Sequence, residues 1–276
     1  MSLQNKIIVI TGASSGIGKA LAADLLAKGA RVALCARNLA KLQESFASFH
    51  NNNLLLFAAD VSKETDCRDF TDAVMKQWGG IDVLINNAGI SMRALFEDLD
   101  LNVIRELMDI NFWGSVYMTK YTLPHIMASK GVICGVSSVA GYRGLPARTG
   151  YSSSKFAMQG FLEALRTELL HTGVHVMWVS PGFTASNIRN TALSASGTAQ
   201  KETPLSEEKL MSAEECAARI ITAIEKRKRT LVMTLQGKIA VLLNKFLPSV
   251  ADNMVYKVFL KEPDSPLQKY ENPSGR

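Results

Sequence analysis

Tyr151 and Lys155 stand four residues apart, and Ser138 lies thirteen residues before the tyrosine. The stretch from Tyr151 to about His171 has no proline and one glycine, and it is rich in Leu, Ala, Phe and Met, so it reads as helix. Residues i and i+4 share a helix face, which would set a phenol beside an ammonium as an acid/base pair. A tyrosine ordinarily titrates near pH ~10, and a fixed cation nearby favours its phenolate. Bringing it to neutral pH takes about 4 kcal/mol of differential stabilisation, of which one lysine supplies part. Alone the pair says little, because a surface tyrosine beside a solvated lysine is common on helices.

The elements that would position this pair are legible. Short β-branched runs predict strands over Lys6–Thr11, Arg31–Ala36, Leu54–Ala59, Val83–Asn86, Val132–Ser137, Val174–Val179 and Leu231–Thr234. Between them, helices are predicted over Gly16–Lys28, Leu39–Ser48, Thr65–Trp78, about Asn102 to Ser129, the Tyr151 segment, and Ser212–Lys226. Short strands that are apolar on both sides and separated by helices indicate a parallel sheet covered on both faces. Right-handed crossovers then give a single doubly wound, Rossmann-type α/β domain. We place it at residues 1–260, with a C-terminal helical extension at about 235–260 and a polar tail, 261–276, frayed or lying on the surface.

A glycine-rich turn, Thr11-Gly12-Ala13-Ser14-Ser15-Gly16-Ile17-Gly18, joins the first strand to the first helix. Such a turn brings backbone close to a pyrophosphate at a helix N-terminus. Where a dinucleotide with a free ribose 2′-hydroxyl binds, an acid usually ends the second strand. Here the strand runs into Ala36-Arg37-Asn38, and no acid occurs between Arg31 and Gln43. A guanidinium suits a 2′-phosphate by charge and shape, which predicts NADP, with Ser14 and Lys41 in reach of the same phosphate.

Composition excludes several classes. The 276 residues, 47% hydrophobic, suit one globular unit rather than a disordered or multi-span chain. The net charge is +6, and its densest run, Lys226 to Arg229, follows a helix end, where cations suit the helix dipole. No nucleic-acid motif surrounds it. Cys35, Cys67, Cys134 and Cys216 lack metal-type spacing, as do His50, His125, His171 and His175. No metal is therefore expected, and the chain reads as a reduced, cytoplasmic protein with no signal peptide.

Taken together, these motifs resemble the short-chain dehydrogenase/reductase family, from about Lys6 to Thr234. The match comprises the Thr11–Gly18 loop, Asp60-Val61, Asn86-Asn87-Ala88-Gly89, Asn111, Ser138, Tyr151, Lys155 and Pro181-Gly182, in the family's order. The resemblance implies that Tyr151 is the general acid/base and that Lys155 holds the nicotinamide ribose and lowers the phenol's pKa. It implies that Ser138 hydrogen-bonds the substrate oxygen and that Asn111 organises a water for proton relay. Gly12, Ser14, Ser15, Gly16, Ile17 and Gly18 would cradle the cofactor; Asp60 and Val61 would contact adenine; Asn87, Ala88 and Gly89 would line it. Pro181 and Gly182 would close its far end, with Thr184 or Ser186 bonding the carboxamide.

The expected activity is NADP-dependent interconversion of a carbonyl and an alcohol, by a carbonyl reductase acting on a hydrophobic substrate. An NAD-dependent enzyme or a non-catalytic dinucleotide sensor are the alternatives. Ser91, Met92, Leu95, Tyr142, Leu145, Phe183 and a Ser- and Thr-rich segment, Ser186–Leu205, are candidates for the pocket wall, the segment as a mobile lid. The Met and Phe side chains suit core equally well. Ile239, Val241, Leu242, Lys245 and Phe246 suggest an amphipathic C-terminal helix that packs on its own domain or a second subunit, with a lipid surface as the alternative. Family members commonly pair the helices around Asn111 and Tyr151, which implies a homo-oligomer.

Overall fold

The computed structural model describes residues 1–49, 52–184, 188–200 and 210–271. Seven strands form one sheet: β1 Ile7–Thr11, β2 Arg31–Ala36, β3 Leu54–Ala58, β4 Val83–Asn86, β5 Val132–Val136, β6 His175–Ser180 and β7 Thr230–Val232. Every pairing is parallel, in the order β3-β2-β1-β4-β5-β6-β7. The order reverses between β1 and β4, and such a switch leaves a crevice at the carboxyl ends of the strands.

Side chains on a strand alternate between faces, and both faces are buried here. In β1, Ile8 and Ile10 enter one core, while Ile7 and Val9 enter the other. Helices α1 (Gly16–Ala27) and α7 (Ala213–Glu225) cover the first face. On the second lie α3 (Glu64–Trp78), α5 (Gly114–Ser129) and α6 (Thr149–Glu168). The short α2 (Leu39–Ser45) follows β2, with Asn38 capping its first turn through the Lys41 amide at 2.9 Å. All four cysteines are buried free thiols, and burial pushes Cys67, Cys134 and Cys216 up to about 12.

Two helical regions differ from expectation. The predicted helix from Asn102 to Ser129 is interrupted: α4 (Leu101–Met108) leads into one π turn, Asp109–Trp113, before α5 begins at Gly114. Gly114 packs so tightly that a Cβ there would lie 2.8 Å from Val61 Cγ2. The C-terminal extension is two helices, α8 (Leu235–Phe246) and α9 (Pro248–Leu260). Pro248 lacks the N–H that would continue α8, and it forces Leu247 out of helical geometry. The tail is not loose where it begins: Glu262 and Ser265 are buried, and a short α10 (Gln268–Glu271) follows. Among the described residues no helix is long and apolar enough to cross a membrane.

Candidate active site

The turn after β1 is built for close approach. Gly12 and Gly16 have φ of +68° and +54°, which glycine adopts without strain. A Cβ on Gly12 would lie 2.7 Å from the Ala88 Cα, and one on Gly18 would lie 2.5 Å from Asn87 Nδ2. Asn87 fastens this turn to the end of β4: its Nδ2 donates to the carbonyls of Thr11 and Gly12 at 2.9 and 3.0 Å. The Thr11 hydroxyl completes the tie by accepting from the backbone of Asn87 and Ala88 at 3.1 and 3.0 Å. Sequence reasoning gave Thr11 no role of its own, because only the fold brings β4 alongside it.

One cleft of about 920 Å³ runs from this turn across the switch point. Gly12, Ser14, Ser15, Gly16, Ile17 and Gly18 line it, with Arg37 just after β2 and Lys41 in the first turn of α2, and Asp60, Val61, Asn87, Ala88 and Gly89 beyond. The Asp60 carboxylate is partly engaged, accepting from Ser62 N and Oγ at 3.1 and 2.8 Å to close a turn before α3. Pro181, Gly182 and Thr184 lie on the opposite side. Gly182 sits where a Cβ would come within 2.6 Å of Thr234 Oγ1. Thr184 is buried, and Ser186 lies outside the described residues, so only Thr184 of the two hydroxyls is placed.

Ser138, Tyr151 and Lys155 line the middle of the cleft. Ser138 follows β5 and caps a short 3-10 turn, accepting from Ala140 N at 3.2 Å. Gln159 holds the residues beside it, donating to Ser137 Oγ at 2.8 Å and to Ser138 O at 3.4 Å. Tyr151 is in the first turn of α6. One helical turn later, the Lys155 Nζ donates to Val136 O at 2.9 Å and stands 5.8 Å from the centre of the Tyr151 ring.

Asn111, carried inward on the π turn, is engaged on both sides of its amide. Its Oδ1 accepts from Ile90 N at 2.8 Å, and its Nδ2 donates to Ile90 O at 3.0 Å and Ser154 Oγ at 2.8 Å. Ser154 in turn donates to the Tyr151 carbonyl at 2.8 Å. Gly89 leaves room between these groups: a Cβ there would lie 3.1 Å from Asn111 Oδ1 and 3.4 Å from Lys155 Nζ.

Burial holds the Tyr151 phenol above its ordinary value, opposed first by a hydrogen bond with Ser138 and then by the charge of Arg148. Lys155 is itself pushed down by burial, to about 8. Arg148, three residues before Tyr151, thus adds a second cation beside the phenol. Its i,i+3 spacing was the available signal.

At the substrate end, Ser91, Leu145 and Phe183 line the cleft as expected, joined by Ile188, Leu193, Ile239, Met254, Val258 and Phe259. Met92 and Leu95 are core instead, and Tyr142 packs half-buried against it. Met92 and Leu95 are buried, and the Tyr142 hydroxyl accepts from Trp178 Nε1 at 2.8 Å. Residues 192–200 are a stitched wall rather than a loose lid. Leu193 N donates to Ser91 O at 2.8 Å, Arg93 N to Leu193 O at 2.9 Å, and Gln200 Nε2 to Arg93 O at 2.7 Å. The rest of the expected lid, at 186–187 and 201–205, lies outside the described residues.

Comparison with known proteins agrees with this geometry. Residues 6–196 match the family model described as short chain dehydrogenase. The chain is 33% identical over 258 residues to dehydrogenase/reductase SDR family member 7B of Rattus norvegicus, covering 90% of this chain and 76% of the relative. It is 34% identical over 268 residues to an 11-beta-hydroxysteroid dehydrogenase of Pinus massoniana, covering 94% of this chain and 75% of that one. A solved short chain dehydrogenase from Burkholderia cenocepacia, in complex with NADP, superposes with a TM-score of 0.78 at 22% identity, covering 92% of this chain and 99% of that one. A 3-ketoacyl-(acyl-carrier-protein) reductase from Brucella melitensis, complexed with NADH, gives 0.75 at 24% identity, covering 85% and 98%.

Proposed function

The chain belongs to the short-chain dehydrogenase family of oxidoreductases, and from that premise we propose that it is an NADP-dependent carbonyl reductase acting on a hydrophobic ketone. The observation that carries this reading is one continuous cleft with three ends of different chemistry: a glycine cradle, a cationic corner at Arg37 and Lys41, and an apolar wall, with Tyr151 between them.

The cradle fits a dinucleotide, since side chains at Gly12 and Gly18 would collide with the backbone or side chain facing them. Gly12 to Gly18, Asp60, Val61 and Asn87 to Gly89 would hold it, with Pro181, Gly182 and Thr184 at its far end. When bound, the dinucleotide supplies the hydride. Arg37 and Lys41 favour a 2′-phosphate, because both cations line this part of the cleft and no acid ends β2.

In the reducing direction Tyr151 donates its proton to the carbonyl oxygen. Ser138, fixed at the end of β5 by the turn it caps and by Gln159, donates a hydrogen bond to the same oxygen as charge develops on it. Lys155 would hold ribose hydroxyls from its seat on Val136. Asn111 braces α6 against the loop after β4, and its Oδ1 and the Lys155 ammonium converge on Gly89, where a proton relay to Tyr151 would start.

The apolar wall favours a bulky substrate without phosphate groups, and the Pinus massoniana relative is named for a hydroxysteroid. We assign the physiological partner as a second copy of the chain. Trp113 and Phe156 are exposed on the π turn and α6, beside Phe112, Tyr117 and Phe161, a face suited to pairing. Four buried free thiols suit the reducing conditions of the cytoplasm.

Titration of the protein with NADPH and NADH, followed by a ketone panel of steroid, 3-ketoacyl and aromatic carbonyls, tests the reading. Tighter NADPH binding that is lost in Arg37→Asp, with reduction of the larger apolar ketones, is expected. Preference for NADH, or cofactor binding without turnover on any carbonyl, contradicts it.

A further inference from the structure

Glu262 is a carboxylate 7% exposed, just beyond α9. Both its oxygens accept from Arg148 Nη2, at 2.9 and 2.8 Å, and its Oε2 lies 3.5 Å from Arg93 Nε. Arg93 also donates to the Pro263 carbonyl. The two arginine side chains are 12% and 13% exposed. Buried charges persist where they are paired and hydrogen-bonded, and here two cations share one anion.

The three residues come from distant parts of the chain. Arg93 belongs to the loop after β4, two residues past Ser91 on the cleft wall. Arg148 immediately precedes α6 and stands three residues before Tyr151. Glu262 belongs to the C-terminal segment. The Arg148 guanidinium also lies 4.6 Å over the Phe259 ring, so it touches α9 by charge and by stacking. Met254, Val258 and Phe259 of α9 line the substrate end of the cleft, and Met254 and Val258 are about half exposed there. This helix is therefore a roof, held by the burial of Phe259 against Leu95 and Ala147, by the Arg143–Asp252 pair and, just past its end, by the buried carboxylate of Glu262.

We infer that Glu262 is a positioning residue that sets the width of the substrate end: by tying α9 to Arg148 and Arg93, it fixes how far Met254, Val258 and Phe259 stand from Tyr151, and so the bulk of ketone accepted. The inference rests on the reading of this cleft as a ketone reductase. Glu262 lies on the cleft wall beside Arg148, but both its oxygens are taken by that guanidinium, so it acts through α9 and Arg148 and not on the reacting atoms.

Selectivity is the readout that a merely stabilising ion pair would not move. kcat/KM is measured with NADPH for a bulky steroid ketone and for cyclohexanone, in the wild type, Glu262→Ala and Glu262→Gln. The bulky-to-small ratio is expected to fall about tenfold or more, carried by KM for the bulky ketone, with NADPH affinity unchanged. Acetate, a detached carboxylate for the two arginines, is expected to restore part of that ratio in Glu262→Ala and to do nothing to the wild type. Glu262→Gln keeps the side chain's shape should the alanine variant fail to fold. An unchanged ratio in a folded variant overturns the inference, whatever happens to absolute activity. Amide exchange over 249–260, recorded without cofactor or substrate, is expected to quicken about tenfold in Glu262→Gln. Unchanged exchange also overturns the clamp, and it does so even if the wild type reduces no ketone, in which case the functional reading falls on separate grounds.

Discussion

Lys155→Met is expected to change how stability depends on pH. Lys155 is 3% exposed, and burial lowers its pKa from the ordinary 10.5 to about 8. A depression of that size corresponds to about 3 kcal/mol of differential stabilisation. The sign follows from proton counting. Below pH 8 the lysine is charged in both folded and unfolded chains, and the folded state bears the full cost of the buried ammonium. Between pH 8 and 10.5 the unfolded chain binds the extra proton, so stability rises with pH. Above 10.5 the cost is gone. The methionine variant has no such rise. It loses the bond to Val136 O, but that loss is the same at every pH and drops out of the difference between the two proteins. Tyr151, whose pKa burial raises, is present in both proteins, so its own loss of stabilisation from about pH 10 upward drops out of the difference. Urea unfolding of both proteins without cofactor, at pH 7 to 10, gives the test. Wild-type stability relative to the variant should climb by about 2–3 kcal/mol across that range. Parallel curves would refute the claim that this ammonium is held at a cost.

Two further changes probe the cradle. Gly12→Ala places a Cβ 2.7 Å from the Ala88 backbone in a left-handed conformation; dinucleotide affinity, read by fluorescence titration, should fall about tenfold or more. Asn87→Ala removes two hydrogen bonds that tie β4 to the glycine turn; chemical unfolding should show a loss of about 1–3 kcal/mol, with NADPH binding weakened beside it.

The sheet was legible because each strand is a short β-branched run buried on both faces, and because glycine punctuates the turn after β1. Tyr151, Ser138 and Lys155 were legible because a helix face and a strand end fix them locally. Contacts that depend on tertiary approach were not. The π turn at Asp109–Trp113 arises where Gly114 meets Val61, a neighbour 53 positions earlier that no local pattern announces. Arg148 and Glu262 lie 114 residues apart, so the tail read as polar and loose when its first carboxylate is buried. Met92, Leu95 and Tyr142 were candidates for the wall because of where they fall in the chain. Met92 is covered because the 192–200 segment folds back over it through Leu193, Leu95 because the C-terminal segment brings Phe259 and Leu267 onto it, and Tyr142 is turned away to Trp178. The break before Pro248 had a visible cause, and the proline's restriction on Leu247 outweighed the continuous apolar pattern around it.

Tyr151→Phe tests the central claim most directly, because it removes one hydroxyl and leaves the ring in place. In a single turnover with NADPH and a reducible ketone, the account predicts a rate loss of about 10² to 10⁴, with NADPH affinity unchanged. Reduction at near the wild-type rate would show that the proton comes from elsewhere.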